Sequence, residues 1–182
     1  MSKDVIYQSK SALLEFLSTN HQGPGTIVGY RRYTSAATVT TTATGTTPTY
    51  ALNGSDKVSL TFVAPPSGMV ELACSVTMNP GGNDYGMLAL STDGTSWSTY
   101  TPTGDPVDTN ARFYYCDVND IGYNTARWVL RGLTSNQSYT FYLGIAEQNA
   151  AHTFEIRWGG EDWPSMILKA TALPADTVLT DS

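Results

Sequence analysis

The sequence predicts an all-β protein, an antiparallel β-sandwich preceded by a short N-terminal helix or arm. Three observations carry that prediction. The run Met69–Met78 alternates without a fault: Val70, Leu72, Cys74, Val76 and Met78 fall on one face, and Glu71, Ala73, Ser75 and Thr77 on the other. Side chains alternate across a strand, so one face meets a core and the other lies near water. Eight or nine short strand-like runs follow one another from Thr26 onward, with turn signals between them at short intervals. Helical periodicity, by contrast, is confined to residues 5–18.

In that first segment Val5, Ile6, Leu13, Leu14, Phe16 and Leu17 form an approximate helical stripe, with Ser9 or Ser11 placed to cap it. Ser18-Thr-Asn-His and then Gly23-Pro24-Gly25 end it. A helix this short is marginal alone and needs a surface to bury its stripe, either its own β domain or a partner. Docking on a partner makes Leu13, Leu14, Phe16 and Leu17 the anchor.

The strand candidates then run in order: Ile27–Tyr33, Val58–Val63, Met69–Met78, Tyr85–Ser91, Arg112–Val118, Ala126–Arg131, Ser138–Glu147, Thr153–Trp158 and Met166–Leu173. Between Thr34 and Thr49 nine of sixteen residues are Thr, which favours β structure without supplying an apolar face; this reads as an edge strand or extended loop. Pro65 and Pro66 cannot donate to a ladder and Gly68 lets the chain reverse, so a sharp corner separates the second and third runs. Further turns fall at Asn79-Pro-Gly-Gly, Asp93-Gly94, Thr103-Gly-Asp-Pro, Ser135-Asn136 and Gly159-Gly160. The expected organisation is an arm at 1–25, a β domain at 26–174 and a loose tail at 175–182.

Composition narrows the function. At 182 residues there is room for one sandwich or barrel domain, and no internal repeat points to a propeller or solenoid. Charged residues make up only 14%, a composition that suits a surface partly covered by another chain. The net charge of −6 argues against holding phosphate backbones, so no nucleic-acid partner is expected. No apolar run reaches the roughly 20 residues that span a bilayer as a helix, so membrane insertion is not expected. The N-terminus shows no small-residue cleavage site, which reads as synthesis in a cytoplasm. Of two cysteines, Cys74 lies on an apolar strand face and reads as a small hydrophobe, with a Cys74–Cys116 disulfide as the alternative.

The chemistry-bearing residues form no recognisable constellation. His21 and His152 are isolated, no Gly-x-Ser-x-Gly elbow or phosphate-cradling glycine loop occurs, and Glu71, Glu147, Glu155, Glu161 and Asp162 cannot be paired from sequence. Asp93-Gly94 reads as a hairpin turn with Trp97 packing back. Asp117-Val-Asn119-Asp120-Ile-Gly122 resembles a calcium loop, but Ile121 stands at a ligand position and Trp128 at the far end, so it reads as a turn. The expectation is therefore a non-enzyme with no catalytic residue, cofactor or metal site. Tyr114, Tyr115, Tyr123, Tyr139 and Tyr142, with Trp97, Trp128, Trp158 and Trp163, suit interface cores and carbohydrate platforms alike, and most should fill the sandwich. Tyr114 and Tyr115 are consecutive, so on a strand one faces outward; with Tyr123 they are the candidate exposed contacts. The Asn53-Gly-Ser55 and Asn136-Gln-Ser138 sequons read as chance.

Three segments together carry a resemblance: GYRRYTSAATVT at 29–40, VSLTFVAPPSGMVELACSV at 58–76, and LRGLTSNQSYTFYLGIAE at 130–147 followed by IRWGGEDWPSMILKATALP. They resemble the small jelly-roll modules of bacteriophage virions, akin to the C1q and tumour-necrosis-factor-like fold, across about 150 residues and by pattern, without an invariant motif. The resemblance implies a capsid decoration protein or head fibre, or a tail-fibre or baseplate tip, commonly a homotrimer, and no catalytic residues. The short arm and missing shaft favour decoration of the capsid exterior, with the major capsid protein as partner. The alternative is a tail or baseplate module whose exposed aromatics grip a host surface glycan.

Overall fold

Period-two alternation becomes sheet wherever turns bring such runs together. The computed structural model, which describes residues 23–42, 48–80, 86–93, 107–108, 121–147 and 152–175, shows thirteen strands and no helix among them. In chain order they are β1 (Ile27–Tyr33), β2 (Ala37–Thr41), β3 (Thr49–Tyr50), β4 (Leu52–Asn53), β5 (Asp56–Lys57), β6 (Ser59–Val63), β7 (Val70–Pro80), β8 (Gly86–Ser91), β9 (Val107–Asp108), β10 (Gly122–Leu130), β11 (Ser138–Glu147), β12 (Phe154–Trp158) and β13 (Met166–Ala172). Every described pairing is antiparallel.

Two sheets share one core. In the seven-stranded sheet β7 is the spine, paired with β10 on one flank and with β13 and then β12 on the other. β1 extends the sheet beyond β13, β2 beyond β12 and β9 beyond β10. The four-stranded sheet centres on β11, with β8 on one side and β6 and β3 completing it. At Leu143 the partner changes: Ala51 N donates to Leu143 O (2.9 Å) and Leu143 N donates to Val58 O (2.9 Å). The β4–β5 hairpin projects from that junction.

The alternation of β7 positions the core. Leu72, Cys74, Val76 and Met78 are buried in one cluster with Leu60, Phe62, Leu88, Leu90, Phe141, Leu143 and Ile145 of the other sheet, and Phe62 stacks on Phe141 at 5.8 Å. Each such side chain contributes roughly 1.5–3 kcal/mol by leaving water. Cys74 is a free, buried thiol. Desolvation pushes its pKa from 9.0 up to about 12, so it serves as a hydrophobe.

The corner expected at Pro65–Gly68 carries the chain from β6 in one sheet to β7 in the other. Gly68 N donates to Pro65 O (2.9 Å), Gly68 has φ 65°, and Leu133 N donates to Gly68 O (3.0 Å). Elsewhere the sheets meet along a seam where edge strand β1 runs beside β6. There the Tyr33 hydroxyl donates to Ser59 O and accepts from Ser59 N, both at 3.0 Å. At Gly29 a Cβ would stand 2.8 Å from the Phe62 Cβ, so the close approach of the two strands requires glycine.

β1 and β11 have the bounds expected from sequence, and β2 is the Thr-rich edge strand, pairing only with β12 among the described residues. β10 starts four residues before the expected Ala126, because Tyr123-Asn-Thr125 shows no apolar alternation and is held by its ladder to β7. β7 runs on through Pro80, past the turn expected at Asn79, with Pro80 opposite Phe154. The two-residue strands β3, β4, β5 and β9 are too short to leave a periodic signal. The expected helix at 5–18, the strand at 112–118 and the tail beyond 175 lie outside the described residues.

Candidate functional site

The outer face of the seven-stranded sheet is built by register. Antiparallel pairing sets residues of neighbouring strands opposite one another, so three ladders define three rows across the sheet. Arg32, Ile167, Ser75 and Thr125 form one row, and Tyr30, Lys169, Ala73 and Arg127 the next. Ile27, Thr171, Glu71 and Val129 form the third. Beyond the first row Thr77 faces Tyr123 on β10 and Arg157 on β12. With strands about 4.8 Å apart, the four-strand rows span roughly 14 Å.

Two aromatic rings stand over a floor of small side chains. Tyr30 is 55% exposed and Tyr123 45% exposed, whereas Ala73 and Thr77 between them are buried. The Tyr123 hydroxyl donates to Ser165 O at 3.1 Å, so its ring lies across β7 toward the start of β13. Burial pushes the Tyr123 phenol above its ordinary value; the nearby Ser75 hydroxyl and Arg32 guanidinium pull the other way, while Tyr30 adds to the rise. Ser75 and Thr125 share a 2.7 Å hydroxyl hydrogen bond, and Thr77 Oγ1 has no partner among the described residues.

The charges on this face divide into closed and open. Arg127 pairs with Glu71 at 3.0 Å, and Arg157 pairs with Glu155 while its guanidinium lies over the Trp163 ring. Arg32 and Lys169 have no carboxylate partner among the described residues. The other sheet differs: Lys57 of the β4–β5 hairpin sits 3.8 Å over its Tyr50, which meets Tyr142 edge-on at 5.9 Å, so this cation and these rings satisfy one another.

Of the residues singled out from sequence, Tyr123 stands on this face. Tyr114, Tyr115 and the anchor residues Leu13, Leu14, Phe16 and Leu17 lie outside the described residues. Trp128 and Trp158 are core, and the Tyr139 hydroxyl accepts from Thr134 N at 2.8 Å. Glu71 and Glu155 are taken up in separate ion pairs, each with its own arginine. Tyr30, Arg32 and Lys169 are not marked as a site by the sequence alone. The signal was there in part: Tyr30 and Arg32 alternate with Arg31 and Tyr33, and Ile167, Lys169 and Thr171 alternate with Met166, Leu168 and Ala170. Only the register brings them to one place. No protein-family model matches the chain, and no curated protein is significantly similar to it.

Proposed function

We propose that this chain is a non-enzymatic jelly-roll module of a bacteriophage virion, a capsid decoration protein of the cement or head-fibre type. It would assemble as a homotrimer on the capsid exterior and bind the lattice of the major capsid protein. The observation that carries this reading is the β1–β6 seam. Ile27 at the start of β1 is 56% exposed and Val63 at the end of β6 is 40% exposed. Gly29 lies against Phe62, and Tyr33 against Ser59, so β1 and β6 run in opposite directions and Ile27 and Val63 fall at the same end of the seam. That half of β1, Ile27-Val-Gly29, carries no charge to protect an edge strand from pairing. Apolar side chains left open at one end of the seam suit burial against another subunit. The N-terminal stripe supplies the proposed anchor, and three weak anchors on one trimer would add to firm attachment.

The test has two parts. Sedimentation of the purified protein should show a trimer, which Ile27→Lys with Val63→Lys converts to a folded monomer. A monomer at high micromolar concentration removes the self-association. Chains lacking residues 2–22 should fold but bind undecorated capsids far more weakly than the full chain; equal binding removes the anchor. Hundreds of copies per virion fit decoration, and a few to tens fit a tail. The second reading, a tail-fibre or baseplate module that grips a host surface glycan, is favoured by the tyrosine-bearing face of the seven-stranded sheet.

A further inference from the structure

We propose that this face, at Tyr30, Arg32, Ser75, Tyr123, Thr125 and Lys169, binds a carboxylated saccharide. The inference rests on the second, glycan-gripping reading and specifies the chemistry of its ligand. Sugar rings present apolar C–H faces and rims of hydroxyls; aromatic side chains cover the first and small polar side chains bond the second. Tyr30 and Tyr123 supply the rings, each about half exposed. The Ser75–Thr125 hydroxyl pair supplies the floor.

The acidity follows from charge. Arg32 and Lys169 stand on neighbouring strands in adjacent rows, one beside Tyr30 along β1 and the other directly across from it, with no carboxylate facing either among the described residues. A carboxylate set between them meets two cations that folding has left unmatched in a chain of net charge −6. The same feature argues against the competitors. An acidic peptide binds sheets by adding a strand to an edge, whereas the centre of this face lies on β7 and β13, whose backbones are paired on both flanks. A nucleic acid needs more unmatched cations along its backbone than two.

The full-length protein should be titrated with an oligogalacturonate hexamer, with maltohexaose as a neutral hexasaccharide and with hexaglutamate, reading backbone amide shifts by NMR. The oligogalacturonate should move amides around 30–32, 123–125 and 169, with a roughly millimolar dissociation constant. Maltohexaose and hexaglutamate should each bind at least about tenfold more weakly. Arg32→Gln with Lys169→Gln should weaken the oligogalacturonate about tenfold and leave maltohexaose unchanged, and Lys57→Gln on the β4–β5 hairpin should change neither. Raising salt from about 50 to about 500 mM should reproduce the loss in the unaltered protein, independent of any effect of substitution on folding. Equal binding of the two saccharides at this face overturns the acidic specificity while the glycan reading stands. Tighter binding of hexaglutamate overturns it in favour of a protein ligand. If no saccharide moves these amides, the inference and the glycan reading fall together.

Discussion

Replacing Trp158 by alanine and by phenylalanine should give sharply different results. Trp158 ends β12, is wholly buried, and meets Tyr33 edge-on with ring centroids 6.4 Å apart. Its indole N–H has no hydrogen-bond partner among the described residues. Truncation to alanine removes the ring, opens a cavity and loses the aromatic pair, costing roughly 3–5 kcal/mol for the first two and about 0.5–1.5 kcal/mol for the third. Phenylalanine keeps most of the volume and a ring against Tyr33. It loses about 1–3 kcal/mol of packing but also discards a buried, unsatisfied donor whose burial costs about 1–3 kcal/mol. These two effects nearly cancel, so Trp158→Phe should lie within about 1 kcal/mol of the parent. Urea unfolding followed by circular dichroism measures both, and the slopes should match, since the surface exposed on unfolding barely changes. In heat the alanine variant should melt some 8–20 °C lower and the phenylalanine variant within a few degrees. A phenylalanine variant as damaged as the alanine one would refute the reasoning, because the N–H would then be contributing stability through a partner.

Gly68→Ala should cost at least about 2 kcal/mol in the same urea assay: a Cβ there enters the left-handed region and would stand 2.6 Å from Leu133 O, displacing the bond that closes the corner. Cys74 should resist a thiol reagent in the native state at pH 8 and react only on unfolding. Its folded pKa is raised, so its stabilising contribution is complete below pH 9 and is lost as pH rises toward about 12. The stability gap between the parent and Cys74→Ala should therefore narrow across that window, by up to about 1.4 kcal/mol per pH unit, and a constant gap would contradict the burial argument.

The sequence reveals a strand where one face is apolar and hides it where neither face is. Val70–Met78, Ser138–Glu147 and Met166–Ala172 declare themselves because their core residues recur every second position. The first half of β10 does not, since Tyr123, Asn124 and Thr125 are all polar or amphipathic and are held by the Met78–Ser75 ladder. The Pro-Pro-Ser-Gly corner was legible because its residues constrain the backbone itself; the sheet change it makes was not, since that depends on pairings more than fifty residues away. The candidate site was the least legible part. Tyr123 was visible as an aromatic on a polar stretch, but Tyr30, Arg32 and Lys169 come from runs almost 140 residues apart in sequence, and only the β1–β13 register places them side by side.

The proposed saccharide site implies that the two outer sheet faces divide the work between stability and recognition. On the four-stranded sheet Tyr50 meets Tyr142 edge-on beneath Lys57 of the β4–β5 hairpin, and Thr61 shares a 2.8 Å hydrogen bond with Thr140, so these polar and aromatic groups are matched. On the seven-stranded sheet matching stops partway. Glu71 takes Arg127 and Glu155 takes Arg157, which leaves Arg32 and Lys169, on either side of Ile167 and Tyr30, without a carboxylate partner among the described residues. Exposed ion pairs add little to folding, typically 0–1 kcal/mol, so leaving two cations open sacrifices almost no stability. The same two charges would gain far more if a ligand carboxylate replaced water between them, as the proposed site requires. Substituting Arg32 and Lys169 should therefore leave the melting temperature nearly unchanged and appear only in binding. If the double variant instead melts many degrees lower, those side chains belong to the fold, and the saccharide site loses the two open cations it rests on.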